Sequence, residues 1–312
     1  MLECTLLNFT LKQLRYIEAT GRLGSIAKAA SELSISQSSI TAAIDALEAE
    51  MGYDLFVRTP AKGIRTTPAG AETLALVRRF IDQSRHFESE MKSVGGTTTG
   101  SVRIACYATA APSFLPPILK SFTKSHPGIS IKLLEGNMEA TMAYLANGEA
   151  DLAFTYDEVV EPKQRFSPLF GAPPYALLPA DDPLATANSV SFIDLAARPM
   201  VMLDLPRTRD YFVSMFEYHG LKANIVHSTR SAEITRALVA AGYGYSILNI
   251  LPPDYRDNDT RFRVLPISDK IHTPIFGIAT QAATRQPRMV QSFIDQCVSL
   301  AQDGTFDKIV VD

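Results

Sequence analysis

The sequence predicts a multidomain α+β chain: a small helical unit closed by a β-hairpin, a long linker helix, and a two-lobed α/β domain. Three observations predict it. Residues 11–50 carry helical periodicity broken only by two short polar turns. A long helix with apolar residues three and four apart then runs into the stretch Gly95-Gly96-Thr97-Thr98-Thr99-Gly100. Beyond it, short apolar runs alternate with amphipathic helices. At 312 residues the chain exceeds one ordinary small domain, and the expected boundaries are 1–66, 67–96 and 97–312.

In the first unit, Leu11, Leu14, Tyr16, Ile17 and Ala19 mark a helix ending near Gly21 and Gly24. Ser25 is placed as an N-cap, with Ile26, Ala29, Ala30 and Leu33 on one face behind it. After the turn Ser34-Ile35, Ser36 caps the next helix, which carries Ile40, Ala43, Ile44, Leu47 and Met51 and closes at Gly52. Two short helices joined by a tight turn, with alanines permitting close approach, describe a helix-turn-helix. The period then changes to two. Leu55–Arg58 and Ile64–Thr66 read as strands, with Thr59–Gly63 as the hairpin tip. Such a hairpin makes the unit a winged helix-turn-helix.

Thr67 as N-cap and Pro68 at the first helical position open the linker helix. Val77, Phe80, Ser84, Phe87, Met91 and Val94 recur as a and d positions of a coiled-coil seam, so Val77, Phe80, Phe87, Met91 and Val94 are the expected dimerisation residues. The alternative is a helix packed on its own domain. Past the linker, strands are expected at Val102–Cys106, Ile129–Leu134, Asp151–Thr155, Tyr175–Leu178, Met200–Leu203, Ala223–His227, Tyr245–Leu248, Phe262–Leu265 and Ile275–Ala279. Helices at Phe114–Ser125, Glu139–Asn147, Arg209–His219, Ala232–Ala241 and Pro287–Ala301 alternate with them. The pattern predicts a parallel-rich sheet, and the length of this region predicts two lobes. A ligand is then expected outside the carboxyl ends of the strands, in the crevice between the lobes.

Composition narrows the function classes. The hydrophobic fraction of 46% and charged fraction of 20% are those of a globular protein with a real core. No apolar run approaches a membrane span, and the N-terminal residues lack a basic region followed by an apolar stretch, so a cytoplasmic location is expected. Cys4, Cys106 and Cys297 lie far apart and are read as free thiols, and His86, His126, His219, His227 and His272 are scattered, so neither metal nor cofactor is expected. Two motifs suggest an enzyme and fail on context. Ser25-Ile26-Ala27-Lys28 matches S-x-x-K but lies inside the helix-turn-helix. Gly242-Tyr243-Gly244 lacks the third glycine of a dinucleotide loop and precedes a strand.

The N-terminal residues resemble the LysR-type transcriptional regulators. The likeness runs through Leu11-Lys12-Gln13-Leu14-Arg15-Tyr16, Gly24–Ala30, Leu33–Thr41, Ile44-Asp45-Ala46-Leu47-Glu48, Gly52–Arg58 and Thr66–Gly70 without a gap. The C-terminal part is similar to the family's effector domain, itself periplasmic-binding-protein-like, at Leu115–Leu119, His126–Ile129, Glu135–Asn137, Gly148–Ala153 and Val239–Gly244. The resemblance implies a ligand-responsive regulator that binds double-stranded promoter DNA as a homodimer or homotetramer and works with RNA polymerase. A two-lobed solute-binding protein without a DNA role is the alternative, and it leaves residues 1–94 unexplained.

In a helix-turn-helix the start of the second helix meets base edges in the major groove. Those residues are Gln37, Ser38, Ser39 and Thr41; Gln pairs bidentately with adenine, and Ser or Thr contacts many edges. Arg58, Lys62 and Arg65 on the wing are the expected phosphate or minor-groove contacts. The resemblance implies a basic or amide residue where this chain has Ala42, Ala43, Asp45 and Ala46. Seven cations balance seven anions over residues 1–66, so binding is expected to depend on avidity.

For the effector, the resemblance implies a site at strand ends. Thr109 and Ala110 open a helix whose free N–H groups favour an anion. Asn137 follows the second strand, and Thr155 ends the third. Leu205, Arg207 and Thr208 follow Met200–Leu203, taken as the first strand of the second lobe; the Arg207 fork suits a carboxylate. Arg209 is a second candidate, and Asp204 beside Arg207 either neutralises it or selects an amine. Tyr243 and Ser246 beside the Gly242–Gly244 turn complete the set, and a small anionic metabolite is the favoured effector. Cys106, at the end of the first strand, reads as either a thiol sensor or a buried structural cysteine.

Overall fold

The computed structural model describes residues 9–59, 63–94, 100–253, 260–282 and 286–311. Lys62 at the hairpin tip, the linker stretch after Val94, Cys4 and the side chain of Val94 lie outside what is described. The described elements fall into two compact units.

The first unit is built from α1 (Leu11–Leu23), α2 (Ile26–Leu33), α3 (Gln37–Met51), β1 (Phe56–Thr59), β2 (Gly63–Thr66) and α4 (Pro68–Val94). Each helix start is capped by a side chain. Thr10 forms a capping box with Gln13, and Ser25 and Ser36 accept from the backbone N–H groups of Lys28 and Ser39. Thr67 accepts from Gly70 N–H at 2.9 Å and opens α4. Helix α1 ends at Gly24, in the left-handed region at φ +60°, and Gly21 does not end it. A Cβ on Gly21 would stand 2.5 Å from Leu74 Cδ1, so its lack of a side chain serves the approach of α4. Ile17, Ile40 and Ile44 are fully buried, each contributing roughly 1.5–3 kcal/mol of transfer free energy. Ala29, Ala30 and Ala43 let α2 and α3 pack closely on α1.

Leu74, Val77 and Ile81 of α4 belong to this same core. Val77 is therefore corrected from seam residue to core residue: it is 7% exposed, while Leu76, Phe80, Phe87 and Met91 are largely exposed.

The second unit has two lobes. The first lobe's five-stranded sheet has the order β4-β3-β5-β12-β6, from β3 (Gly100–Tyr107), β4 (Ile129–Gly136), β5 (Leu152–Tyr156), β6 (Gln164–Gly171) and β12 (Ile275–Gln281). Helices α5 (Ala111–Ser125), α6 (Met138–Ala146) and α10 (Arg288–Gln302) accompany it. The second lobe orders β10 (Ser246–Leu248), β7 (Tyr175–Pro179) and β11 (Phe262–Pro266) in one antiparallel sheet. It pairs β8 (Pro199–Leu203) with β9 (Asn224–Thr229) in parallel, and a Met200–Tyr245 bridge joins the two groups. Helices α7 (Phe192–Ala196), α8 (Thr208–Tyr218) and α9 (Ala232–Ala240) complete it.

Three expectations are corrected here. The sheets are mixed rather than parallel-rich, because the chain leaves the first lobe after β6 and returns to insert β12 antiparallel between β5 and β6. The first strand of the second lobe is β7, not β8. Strand β6 was not anticipated, since Pro168 interrupts its run; it is tolerated on an edge strand opposite a register shift at Gly277. The two crossovers are tied by a hydrogen bond from Ala172 N–H to Pro274 O at 2.9 Å. The buried Asp151 receives both the Arg103 backbone N–H, at 2.7 Å, and its guanidinium, so the Gly148–Ala153 stretch serves strand pairing.

Candidate nucleic-acid interface and effector cleft

In the first unit, α3 begins with an exposed turn. Gln37, Ser38 and Ser39 are exposed and Thr41 is half-buried. The Ser36 hydroxyl lies 2.9 Å from that of Ser38 and 2.8 Å from that of Ser39, so both are engaged in the cap. Gln37 and Thr41 make no side-chain hydrogen bond among the described residues and are the readiest to meet a base edge. Ala42, Asp45 and Ala46 also face outward, whereas Ala43 is 3% exposed and cannot join that face.

The hairpin is fixed to α3 by Glu48, whose carboxylate accepts from Leu55 N–H at 2.7 Å and Phe56 N–H at 3.0 Å. Arg58 pairs across the hairpin with Ile64, and Val57 with Arg65. Residues opposite one another share a face, so the two arginines project from opposite faces. Arg58 reaches Asp45 on α3 at 2.5 Å, with both side chains exposed. Arg65 is exposed.

The second unit holds a cleft of about 700 Å³, including its mouth, with walls from both lobes. Thr109, Ala110, Arg207 and Thr208 line it, as expected from the sequence. Five other expected residues do not. The Asn137 side chain caps α6 by accepting from Ala140 N–H at 2.9 Å, and Met138 takes the place in the wall. Thr155 is fully buried away from the cleft, and its strand neighbour Tyr156 lines it. Leu205 is in the core, with Leu203 in the wall. The Ser246 hydroxyl donates to Val201 O at 2.8 Å within the sheet. Tyr243 is exposed and outside the lining. Gly244, at φ +138°, lies where a Cβ would stand 2.2 Å from Pro199 O, so the Gly-x-Gly turn exists to lay β10 beside β8.

Four helix starts meet at this cleft: Ala110 caps α5, and Met138, Thr208 and Ala232 are the first residues of α6, α8 and α9. Neither α5 nor α8 has a side-chain cap, so their N-terminal N–H groups and dipoles favour an anion. Two arginines join them, exposed Arg207 and buried Arg236; the sequence reading did not find Arg236, nor Tyr107, Tyr156, Tyr211 and Asn249. Asp204 pairs with Arg209 at 3.1 Å, outside the lining, so it does not neutralise Arg207. Among the described residues the one carboxylate in the lining is Glu158, which pairs with His272 at 3.1 Å.

Tyr107 Oη meets Thr208 Oγ1 at 3.0 Å across the lobes, and Asn249 Nδ2 bonds Ala172 O at 2.8 Å and Tyr211 Oη at 3.3 Å. Burial raises the Tyr107 and Tyr211 phenols and holds Tyr156 well above its ordinary value, which makes all three neutral donors near pH 7. Cys106 is fully buried, and burial pushes its thiol up to about 11. Such a thiol is protonated at neutral pH and shielded, which is the structural reading rather than the sensor. Among the described residues no cluster of His, Cys, Asp and Glu can hold a metal, and no helix is long and apolar enough to cross a membrane.

Comparison with known proteins bears on both units. Residues 11–71 match the family described as bacterial regulatory helix-turn-helix protein, lysR family, and residues 95–302 match the LysR substrate binding domain. The regulator CysB of Burkholderia cenocepacia is 27% identical over 304 residues, covering 96% of this chain and 95% of that protein. The crystal structure of HinK, a LysR family transcriptional regulator from Pseudomonas aeruginosa, is 30% identical, with a TM-score of 0.61 over 94% of this chain and 99% of that one. CbnR, a LysR family regulator solved in full length with its target DNA, shares the fold at 21% identity and a TM-score of 0.66, covering 94% of this chain and all of that one. With its helix-turn-helix and its effector domain both matched in order, the chain belongs to the LysR-type transcriptional regulators.

Proposed function

We propose that this regulator binds promoter DNA as a homodimer or homotetramer, senses a small anionic metabolite in the cleft, and signals to RNA polymerase through DNA-bound oligomers. The convergence of four helix starts, Arg207 and Arg236 on one cleft carries the anionic assignment. On the DNA side, Gln37 and Thr41 read base edges, with Ser38 and Ser39 beside them, while Arg58, Lys62 and Arg65 meet phosphates. Phe80, Phe87 and Met91 of α4, exposed and in heptad register, form the dimer seam together with Leu76. A two-fold dimer then presents two α3 helices to half-sites about 34 Å apart or a multiple of that. Ligand-dependent lobe closure alters how the dimers hold and bend the DNA.

The test is binding of the full-length protein to the intergenic DNA upstream of its own gene, against unrelated competitor DNA. The expected result is a salt-sensitive, extended footprint with imperfect two-fold symmetry, lost on changing Gln37→Ala and Thr41→Ala together. Operator affinity unchanged in that double variant would overturn the assignment of α3.

A further inference from the structure

We propose that the ligand of the cleft is an aromatic carboxylate bearing a ring hydroxyl, its carboxylate held by Arg236 and its hydroxyl read by Tyr156. The inference rests on the effector reading above and narrows it to a chemical class.

The body of the ligand follows from the walls. Tyr107, Tyr156, Tyr211 and Phe212 present four rings, and Leu203 and Leu248 add aliphatic surface. Such a surface is complementary to a flat apolar body. A polyhydroxy acid or a tricarboxylate would set most of its polar groups against carbon.

The charge of the ligand follows from Arg236. It lies one turn inside α9, behind Ala232, and its side chain is only 7% exposed, unlike that of Arg207. A guanidinium at that depth is weakly screened, and its planar fork matches a carboxylate. Its protein contacts include the exposed Glu233 carboxylate at 3.2 Å, which steadies one arm of the fork.

The hydroxyl follows from Tyr156. Two tyrosines of the wall have their hydroxyls engaged, Tyr107 with Thr208 and Tyr211 with Asn249. Tyr156 is 8% exposed and lines the cleft, yet its hydroxyl has no hydrogen-bond partner among the described residues. That hydroxyl opens onto the cleft rather than being sealed in the core, so it is placed to exchange solvent for a ligand hydroxyl.

The experiment is calorimetric titration of the full-length protein with 4-hydroxybenzoate, benzoate, 4-hydroxybenzamide, citrate and inorganic phosphate. 4-Hydroxybenzoate is expected to bind tightest, benzoate roughly three- to tenfold weaker through loss of one hydrogen bond. The uncharged 4-hydroxybenzamide should bind at least about tenfold weaker, since it forfeits the charge-assisted bond. Tyr156→Phe should abolish the preference for 4-hydroxybenzoate over benzoate. Arg236→Gln should abolish the preference for acid over amide, with Arg236→Lys retaining part of it. Thermal unfolding without ligand identifies any variant that fails to fold, and Tyr156→Phe, the smaller change, then stands alone. The proposal is overturned if citrate or phosphate binds as tightly as the aromatic acids, if the amide equals the acid, or if no aromatic acid binds at millimolar concentration. Promoter binding is measured separately, so failure of this chemistry is distinguishable from failure of the regulator reading.

Discussion

Arg207 occupies a backbone conformation that side-chain-bearing residues avoid, at φ +63° and ψ −37°. Thr208 N–H bonds Pro206 O at 2.8 Å, which closes a γ-turn of the rare, strained hand around it. Such a residue costs on the order of 1–3 kcal/mol and persists only where its surroundings fix it. Here they do: Thr208 is buried, bonded to Tyr107, and begins α8. Arg207→Gly and Arg207→Ala both remove the guanidinium, but only glycine relieves the strain. The glycine variant is therefore expected to be more stable than the alanine variant by about 1 kcal/mol in denaturant unfolding. Equal stability would mean that the turn is unstrained. At this scale the sequence was legible where a helix begins, which is why Thr109, Ala110, Arg207 and Thr208 were found in the wall. It was misleading along strands, where a shift of one residue crosses the sheet: Thr155 points away and Tyr156 faces the cleft. Arg236 and Tyr211 carry no local signal, because nothing in a helix's own sequence tells which polar residue faces a distant lobe.

Helix α4 has two apolar stripes. Leu74, Val77 and Ile81 close the core of the first unit, and Leu76, Phe80, Phe87 and Met91 leave a second stripe uncovered. The two stripes predict opposite consequences for similar changes. Val77→Ala removes two buried methyl groups and leaves a cavity, so stability should fall by about 2 kcal/mol with the oligomer intact. Phe80→Asp with Phe87→Asp should instead give monomers on sizing columns, with the unfolding midpoint of the first unit little changed. Dimers persisting in the double variant would remove α4 from the interface. The period of this helix was legible in its sequence and its phase was not. Spacings of three and four over 27 residues admit both stripes, and only the packing of α1 against Leu74 shows which one is spent on the core. The same holds for the sheets. Alternating elements were legible; the antiparallel insertion of β12 was not, since it is set by crossovers bonded between Ala172 and Pro274, far apart in the chain.

For the molecule as a whole, electrostatics sets how DNA binding must work. The formal charge of the chain is −3, and residues 1–66 are neutral, so no broad basic field draws this protein to DNA. On the proposed reading, affinity comes from a few placed cations and from two or more units engaging together. One of the proposed contact cations is held by an acid on α3, the proposed reading helix: Arg58 pairs with Asp45, and both are exposed. Near a phosphate, Asp45 both repels the backbone and competes for the guanidinium. Asp45→Asn removes the repulsion and releases Arg58 while leaving the core side of α3, Ile40, Ala43, Ile44 and Leu47, untouched. Affinity for operator and unrelated DNA alike should rise several-fold at low salt. The slope of log affinity against log salt should steepen by about one unit for each phosphate newly neutralised. Equal gains on both DNAs identify a backbone contact, whereas a gain on the operator alone would place Arg58 on a base edge. An unchanged slope would mean that Arg58 never reaches phosphate and that its work is the tie between the wing and α3.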